Sequence, residues 1–182
     1  MEVSKLDAAR MQLDAAIKMF FLEDDPVSVQ TLAAAACGIL RGLLAAKGGT
    51  PLEAALQATI RPERLKEVKQ MLTEAPNFFK HADRDPDALL DFKPGTNEVL
   101  IWEGCESYKQ LAADAQVPTM MVFGLWFLVT HPELLLPDTA KNIRGIGAMG
   151  AFEQLGRDAL AKGPREFYLK QLPIAVEASS TS

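Results

Sequence analysis

The sequence predicts an all-α protein, a single-domain helical bundle of about six to eight helices. Three observations carry that reading. Apolar residues recur at steps of three, four and seven in most segments, which is the spacing of a helix face and not the alternation of a strand. Proline and glycine divide the chain into pieces of helical length. Finally, 182 residues, 48% apolar and 24% charged, suit one core that needs neither disulfides nor a metal. The domain is expected to span residues 1–176, with "EASSTS" (177–182) as a flexible C-terminal tail.

Taken in order, Leu6, Leu13, Ile17 and Phe20 form the stripe of a first helix, with Ser4 as N-cap and the acidic "EDDP" (23–26) as its end. Pro26 suits the first turn of a second helix capped by Asp25, in which Val29, Leu32, Ala36, Leu40 and Leu43 share a face until Gly48-Gly49 stops it. The "AAAA" at 33–36 has little bulk, so a neighbouring helix can approach closely, and the short acidic turn makes an antiparallel pair. The following stretch is looser, with one helical turn. Pro62 opens a third clear helix with Leu65, Val68 and Leu72 inward, and Pro76 ends it.

Pro86 begins a short helix through Leu89, Leu90 and Phe92, and "KPGT" (93–96) turns the chain. Thr96 or Asn97 then caps a longer helix with Ile101, Cys105, Tyr108, Ala112 and Ala115 on one face. Pro118 restarts the chain into "MMVFGLWFLV" (120–129). Val, Phe and Trp would also suit a buried strand there, but helical neighbours and the lack of a partner strand favour a helix. "THPELLLPD" breaks it, and residues 138–161 have helical length weakened by four glycines.

A formal charge of -5 argues against dedicated nucleic-acid binding, which calls for a basic surplus. The N-terminus shows no basic stretch followed by an apolar run, and the longest apolar run is well short of the ~20 residues that span a bilayer. With only Cys37 and Cys105, one disulfide is conceivable, but the pattern suits the cytoplasm. Trp102 and Trp126 read as core or interface aromatics. Phe123, Trp126 and Phe127 offer more hydrophobic surface than one small bundle easily covers, so a homodimer is expected.

Familiar catalytic signatures are missing: there is no P-loop, H-E-x-x-H, G-x-S-x-G or Cys-x-x-Cys. "GIGAMG" (145–150) spells a dinucleotide motif, but the polar "PDTAKNIR" precedes it where a hydrophobic strand should end, so close helix contact or a turn is its reading. His131, at the end of the apolar helix, reads as a polar end group that favours the helix dipole when protonated.

The segment "NFFKHADRDPD" (77–87) is the candidate site. Asp83, Asp85 and Asp87 take the first, third and fifth places of a calcium loop, yet Ala88 stands where the turn needs Gly and Pro94 where a bidentate Glu belongs. A looser divalent site using His81 with Asp83 or Asp85 stays open, since carboxylate and imidazole suit Mn, Fe or Zn. The structural alternative is that Asp85 caps the helix at Pro86 while Arg84 pairs with a carboxylate. Phe78 and Phe79 should be partly buried as anchors, and Asn77, Lys80, His81 and Arg84 converge if the helical turn continues past Pro76.

The paired helices "LDAAIKMFF" and "SVQTLAAAACGIL", followed by "NFFKHAD", resemble the HEPN superfamily of small helical bundles, over about the first half of the chain. The resemblance implies a ribonuclease motif in which Asn77, Lys80 and His81 match the polar residue, the intervening Lys and the His. Pro76 stands where the catalytic Arg would fall, which removes the group that would polarise a scissile phosphate. The segment is also similar to bacterial helical proteins with no assigned activity.

Two functions follow as expectations. One is a non-catalytic homodimeric binding module with a small anionic ligand or a protein partner around residues 77–87 and no resident cofactor. The other is a HEPN-like or metal-dependent enzyme acting on an anionic substrate. There His81 is acid–base, Asn77, Lys80 and Arg84 position the substrate, and Asp83 and Asp85 hold the metal.

Overall fold

A capping box opens the first helix. In the computed structural model, which describes residues 1–81, 83, 85–136 and 149–180, the Ser4 hydroxyl accepts from the Asp7 amide at 3.0 Å and the Asp7 carboxylate accepts from the Ser4 amide at 3.3 Å. From there α1 runs Lys5–Phe21. It ends in a Schellman motif, with the Glu23 amide on the Phe20 carbonyl and the Asp24 amide on the Met19 carbonyl. The second helix, α2 (Pro26–Ala46), has Pro26 in its first turn, and the Asp25 carboxylate accepts from the Val27 and Ser28 amides. Gly48, at φ 67°, supplies the left-handed residue that ends it.

The remaining helices are α3 (Leu52–Thr59), α4 (Leu65–Met71) after a 3-10 turn at Pro62–Arg64, α5 (Glu74–Lys80), α6 (Thr96–Leu111), α7 (Pro118–Thr130), α8 (Met149–Lys162) and α9 (Pro164–Ser180). Among the described residues there is no strand, only an isolated antiparallel bridge between Ile60 and Leu135. The chain is all-α, as its periodicity predicts.

The core is built on α2. By length and mean hydropathy (1.5) this helix could cross a bilayer, but in the bundle it packs between α1 and α6, with Val29, Ala33, Ala36, Cys37 and Leu40 buried. Small residues set the spacing. A Cβ on Gly104 of α6 would lie 3.0 Å from Leu13 Cδ1 and 3.2 Å from Cys37 Sγ, so α6 closes onto α1 and α2 through that glycine. Gly156 does the same for α8, where a Cβ would come within 2.9 Å of the Val129 carbonyl oxygen. One of the four glycines that weaken the last third as a helix is therefore a contact surface. The motif at 145–150 is not read further, because residues 145–148 lie outside the described residues.

Several expectations change. Pro76 does not end a helix: the break falls at Leu72–Thr73, and Pro76 is the third residue of α5, where its missing N–H would have no helical partner anyway. Residues 86–92 form no helix. Leu89 is 98% exposed and only Leu90 and Phe92 are half-buried, so the segment has no helical face to bury. The N-cap of α6 is Gly95, since Thr96 donates its hydroxyl to the Lys93 carbonyl and Asn97 donates its amide to the Pro26 carbonyl at 2.9 Å. Asn97 thus ties the start of α6 to the start of α2. At the other end, α9 stays helical through Ser180, over residues that composition assigns to a tail.

The run at 120–129 is helical, as preferred over a strand, and its rings are covered within the chain. Phe123 and Phe127 are fully buried and Trp126 nearly so. Phe20, Phe21, Phe123, Trp126, Phe167 and Tyr168 form one aromatic cluster, with Tyr168 stacked on Phe21 at 4.7 Å. The surplus hydrophobic surface expected to drive dimerisation is therefore taken up by α1 and α9.

Candidate functional site

The segment 77–87 is anchored by its rings. Phe78 and Phe79 are half-buried and meet edge-on at 5.6 Å, and Phe79 meets Phe92 at 5.5 Å. That anchoring matches the expectation for two adjacent Phe. Asn77 and Lys80 are exposed on α5, and the half-buried His81 is its C-cap, at φ -124° and ψ 51°. The side chains of Asn77, Lys80, His81, Asp83, Asp85 and Asp87 make no hydrogen bond or ion pair with another described residue.

Arg84 lies outside the described residues. The capping role read for Asp85 has no helix to act on. Among the described residues, no group of three or more His, Cys, Asp or Glu side chains comes together to hold a metal, so Asp83 and Asp85 are not assembled with His81 into such a set. A cleft of about 340 Å³ lies beside the segment, between α4, α5 and residues 90–96, walled by Met71, Ala75, Leu90 and Phe92. None of Asn77, Lys80 or His81 lines it.

A larger cavity, about 380 Å³, opens between α2, α3 and α6. Leu44, Leu52, Ala55, Leu56 and Trp102 make its walls largely apolar. Trp102 is held from behind by stacking on Phe127, ring centroids 5.0 Å apart and planes within 11°. One charged pair is set into this wall. Arg41 Nε and Nη2 donate to the two Glu103 oxygens, each at 3.1 Å, and the Ser107 hydroxyl donates to Glu103 Oε1 at 3.1 Å. Glu103 is only 3% exposed, and this bidentate fork is what makes burying its charge tolerable.

The fold brings these residues together across long separations, since Arg41 and Glu103 are 62 positions apart. Gly49 closes one edge, where a Cβ would press to 2.7 Å from Leu44 Cδ2. None of this belongs to the segment singled out from sequence. The local signal was Glu103, a charged residue that directly follows the apolar run Val99–Trp102 on α6, with Ser107 four residues on.

A third polar centre joins α6 to the end of α7. Glu98 Oε2 accepts from the Trp126 indole N–H at 2.7 Å and meets His131 Nε2 at 3.0 Å, while His131 Nδ1 meets Glu133 at 3.4 Å. Burial alone would lower the His131 pKa, but the carboxylates of Glu98 and Glu133 outweigh it and hold it above the ordinary value. Both ring nitrogens lie beside carboxylates, Nε2 at the shorter distance. The end-group role read from sequence fits this geometry.

No protein-family model, curated protein or solved structure matches this chain.

Proposed function

We propose that the protein is a non-catalytic helical binding module that takes a small, largely apolar ligand into the cavity between α2, α3 and α6. One observation carries the reading. The cavity is open and largely apolar, yet the Arg41–Glu103 charge pair in it is already satisfied within the wall. Concave, mostly apolar sites with a few placed polar groups are the usual form of small-molecule sites. Catalysis is not favoured there, because Arg41 neutralises Glu103 and leaves it a poor base for Ser107. The test is titration with the neutral fluorescent probe N-phenylnaphthylamine. Saturable one-to-one binding that Ala55→Phe abolishes, with the melting temperature retained, supports the reading. Binding unaffected by that substitution removes it.

A second reading keeps residues 77–87 as an anion or partner site. It is favoured by Lys80 and His81, which carry no partner among the described residues. Here Asn77, Lys80 and Arg84 would position a phosphate or carboxylate, and His81 would be the acid–base group of a HEPN-like enzyme or, with Asp83 and Asp85, a ligand to a divalent metal. RNA cleavage lost in His81→Ala, or metal retained through purification, selects this reading. Homodimerisation stays in the proposal on different residues, since Leu160 of α8 and Leu169, Ile174 and Val176 of α9 face outward. A monomer mass by light scattering at micromolar concentration removes it.

A further inference from the structure

We propose that the cavity between α2, α3 and α6 selects an amphipathic monocation, an apolar body ending in an amine, with Glu106 as the group that meets its charge. This deepens the binding-module reading and rests on it. Among the described residues, three charged side chains line the cavity: Arg41, Glu103 and Glu106. Arg41 and Glu103 neutralise each other through their two-bond fork. Glu103 also takes the Ser107 hydroxyl, so a ligand finds little capacity left on it. Glu106, three residues further along α6, is exposed and makes no hydrogen bond or ion pair with another described residue.

Among the described residues, the cavity lining is therefore left with one uncompensated negative charge, on the solvent-exposed Glu106. The same field reaches inward: burial first, then the carboxylates of Glu106 and Glu103, push the Cys105 thiol up.

The competing ligand would be an anion on the Nη1 edge of Arg41, which Glu103 does not use. Such an anion would sit beside the Glu103 carboxylate and face Glu106, with apolar walls limiting the water between the like charges. A cation at Glu106 leaves the fork intact and lets its apolar body lie along Leu44, Leu52, Leu56 and Trp102. Charge complementarity thus favours the amine.

Octylamine, octanol and octanoate share one tail and differ in charge at neutral pH. Each is titrated calorimetrically into the full chain, into Glu106→Gln and into Ala55→Phe. Octylamine should bind about fivefold tighter than octanol, the scale of one partly exposed ion pair, with octanoate weakest. Glu106→Gln should bring octylamine down to octanol, and Ala55→Phe should remove all three. An amine no tighter than the alcohol, or a preference that survives Glu106→Gln, overturns the inference and leaves the binding-module reading standing. Octanoate binding tightest also overturns it, in favour of Arg41. No binding by any of the three removes the binding module itself.

Discussion

Glu23 adopts φ 58° at the end of α1, the position that Gly48 fills at the end of α2 with φ 67°. Both helices end in the same pair of backbone bonds, but only glycine takes the left-handed conformation without a Cβ penalty of roughly 1–2 kcal/mol. Glu23→Gly is therefore expected to stabilise the fold by about 0.5–1 kcal/mol after the added unfolded-state entropy, read from the midpoint of urea denaturation. His131 gives the second prediction at this scale. Its folded pKa is raised by Glu98 and Glu133, so its contribution is fully present below the ordinary histidine value of about 6.5 and is lost as pH rises through the raised value. Melting temperatures of the protein and of His131→Gln should differ most in mild acid and converge in mild alkali. A gap that widens with pH would contradict the assigned partners. Single residues were legible in the sequence where their partner is local: Ser4 with Asp7, and Asp25 with Val27 and Ser28, are contacts of two or three residues. Arg41 with Glu103 was not, because no periodicity links positions on different helices.

Helices were legible where a buried stripe and a terminator coincide, as in α1, α2 and α7. They were misread where proline was taken as punctuation without its position in the turn. Pro76 sits in the first turn of α5, while Pro86 leads into no helix because the residues after it have little to bury against. That misreading also shaped the candidate site: α5 does continue past Pro76 and puts Asn77 and Lys80 on its surface, and the chain leaves the helix at His81. The approach of α6 to α1 and α2 tests this scale. Gly104→Val adds a branched side chain where a single Cβ already meets Leu13 and Cys37 at 3.0 and 3.2 Å. It should cost about 1–3 kcal/mol by overpacking. A change within about 0.5 kcal/mol, the range of an ordinary surface substitution, would show that the three helices are not packed this closely.

Across the whole molecule, the last helix completes a core that the first two thirds of the chain leave open. Phe167 and Tyr168 of α9 are buried against Phe21 and Trp126, with Phe21–Tyr168 and Trp126–Phe167 centroids 4.7 and 5.3 Å apart. From sequence this closure was invisible, since α9 carries scattered apolar residues and an internal Pro173, and its partners lie on α1 and α7. The apolar run at 120–129 therefore looked like surface awaiting a second copy. If α9 instead serves as the cover, Phe167→Ala should cost about 3–5 kcal/mol, the scale for removing a buried ring. That is a large share of the roughly 5–15 kcal/mol that holds a domain folded, so deletion of residues 164–182 should leave a chain that unfolds or aggregates. Lys170→Ala, at an exposed position on the same helix, serves as the control and should stay within about 0.5 kcal/mol of the parent chain. Urea denaturation of the three variants separates the alternatives. A small loss in Phe167→Ala together with a cooperative, stable truncation would mean that α9 is peripheral. The aromatic surface beneath it would then be free for a partner. A large loss in Phe167→Ala with an unchanged Lys170→Ala would establish α9 as the cover of the aromatic core.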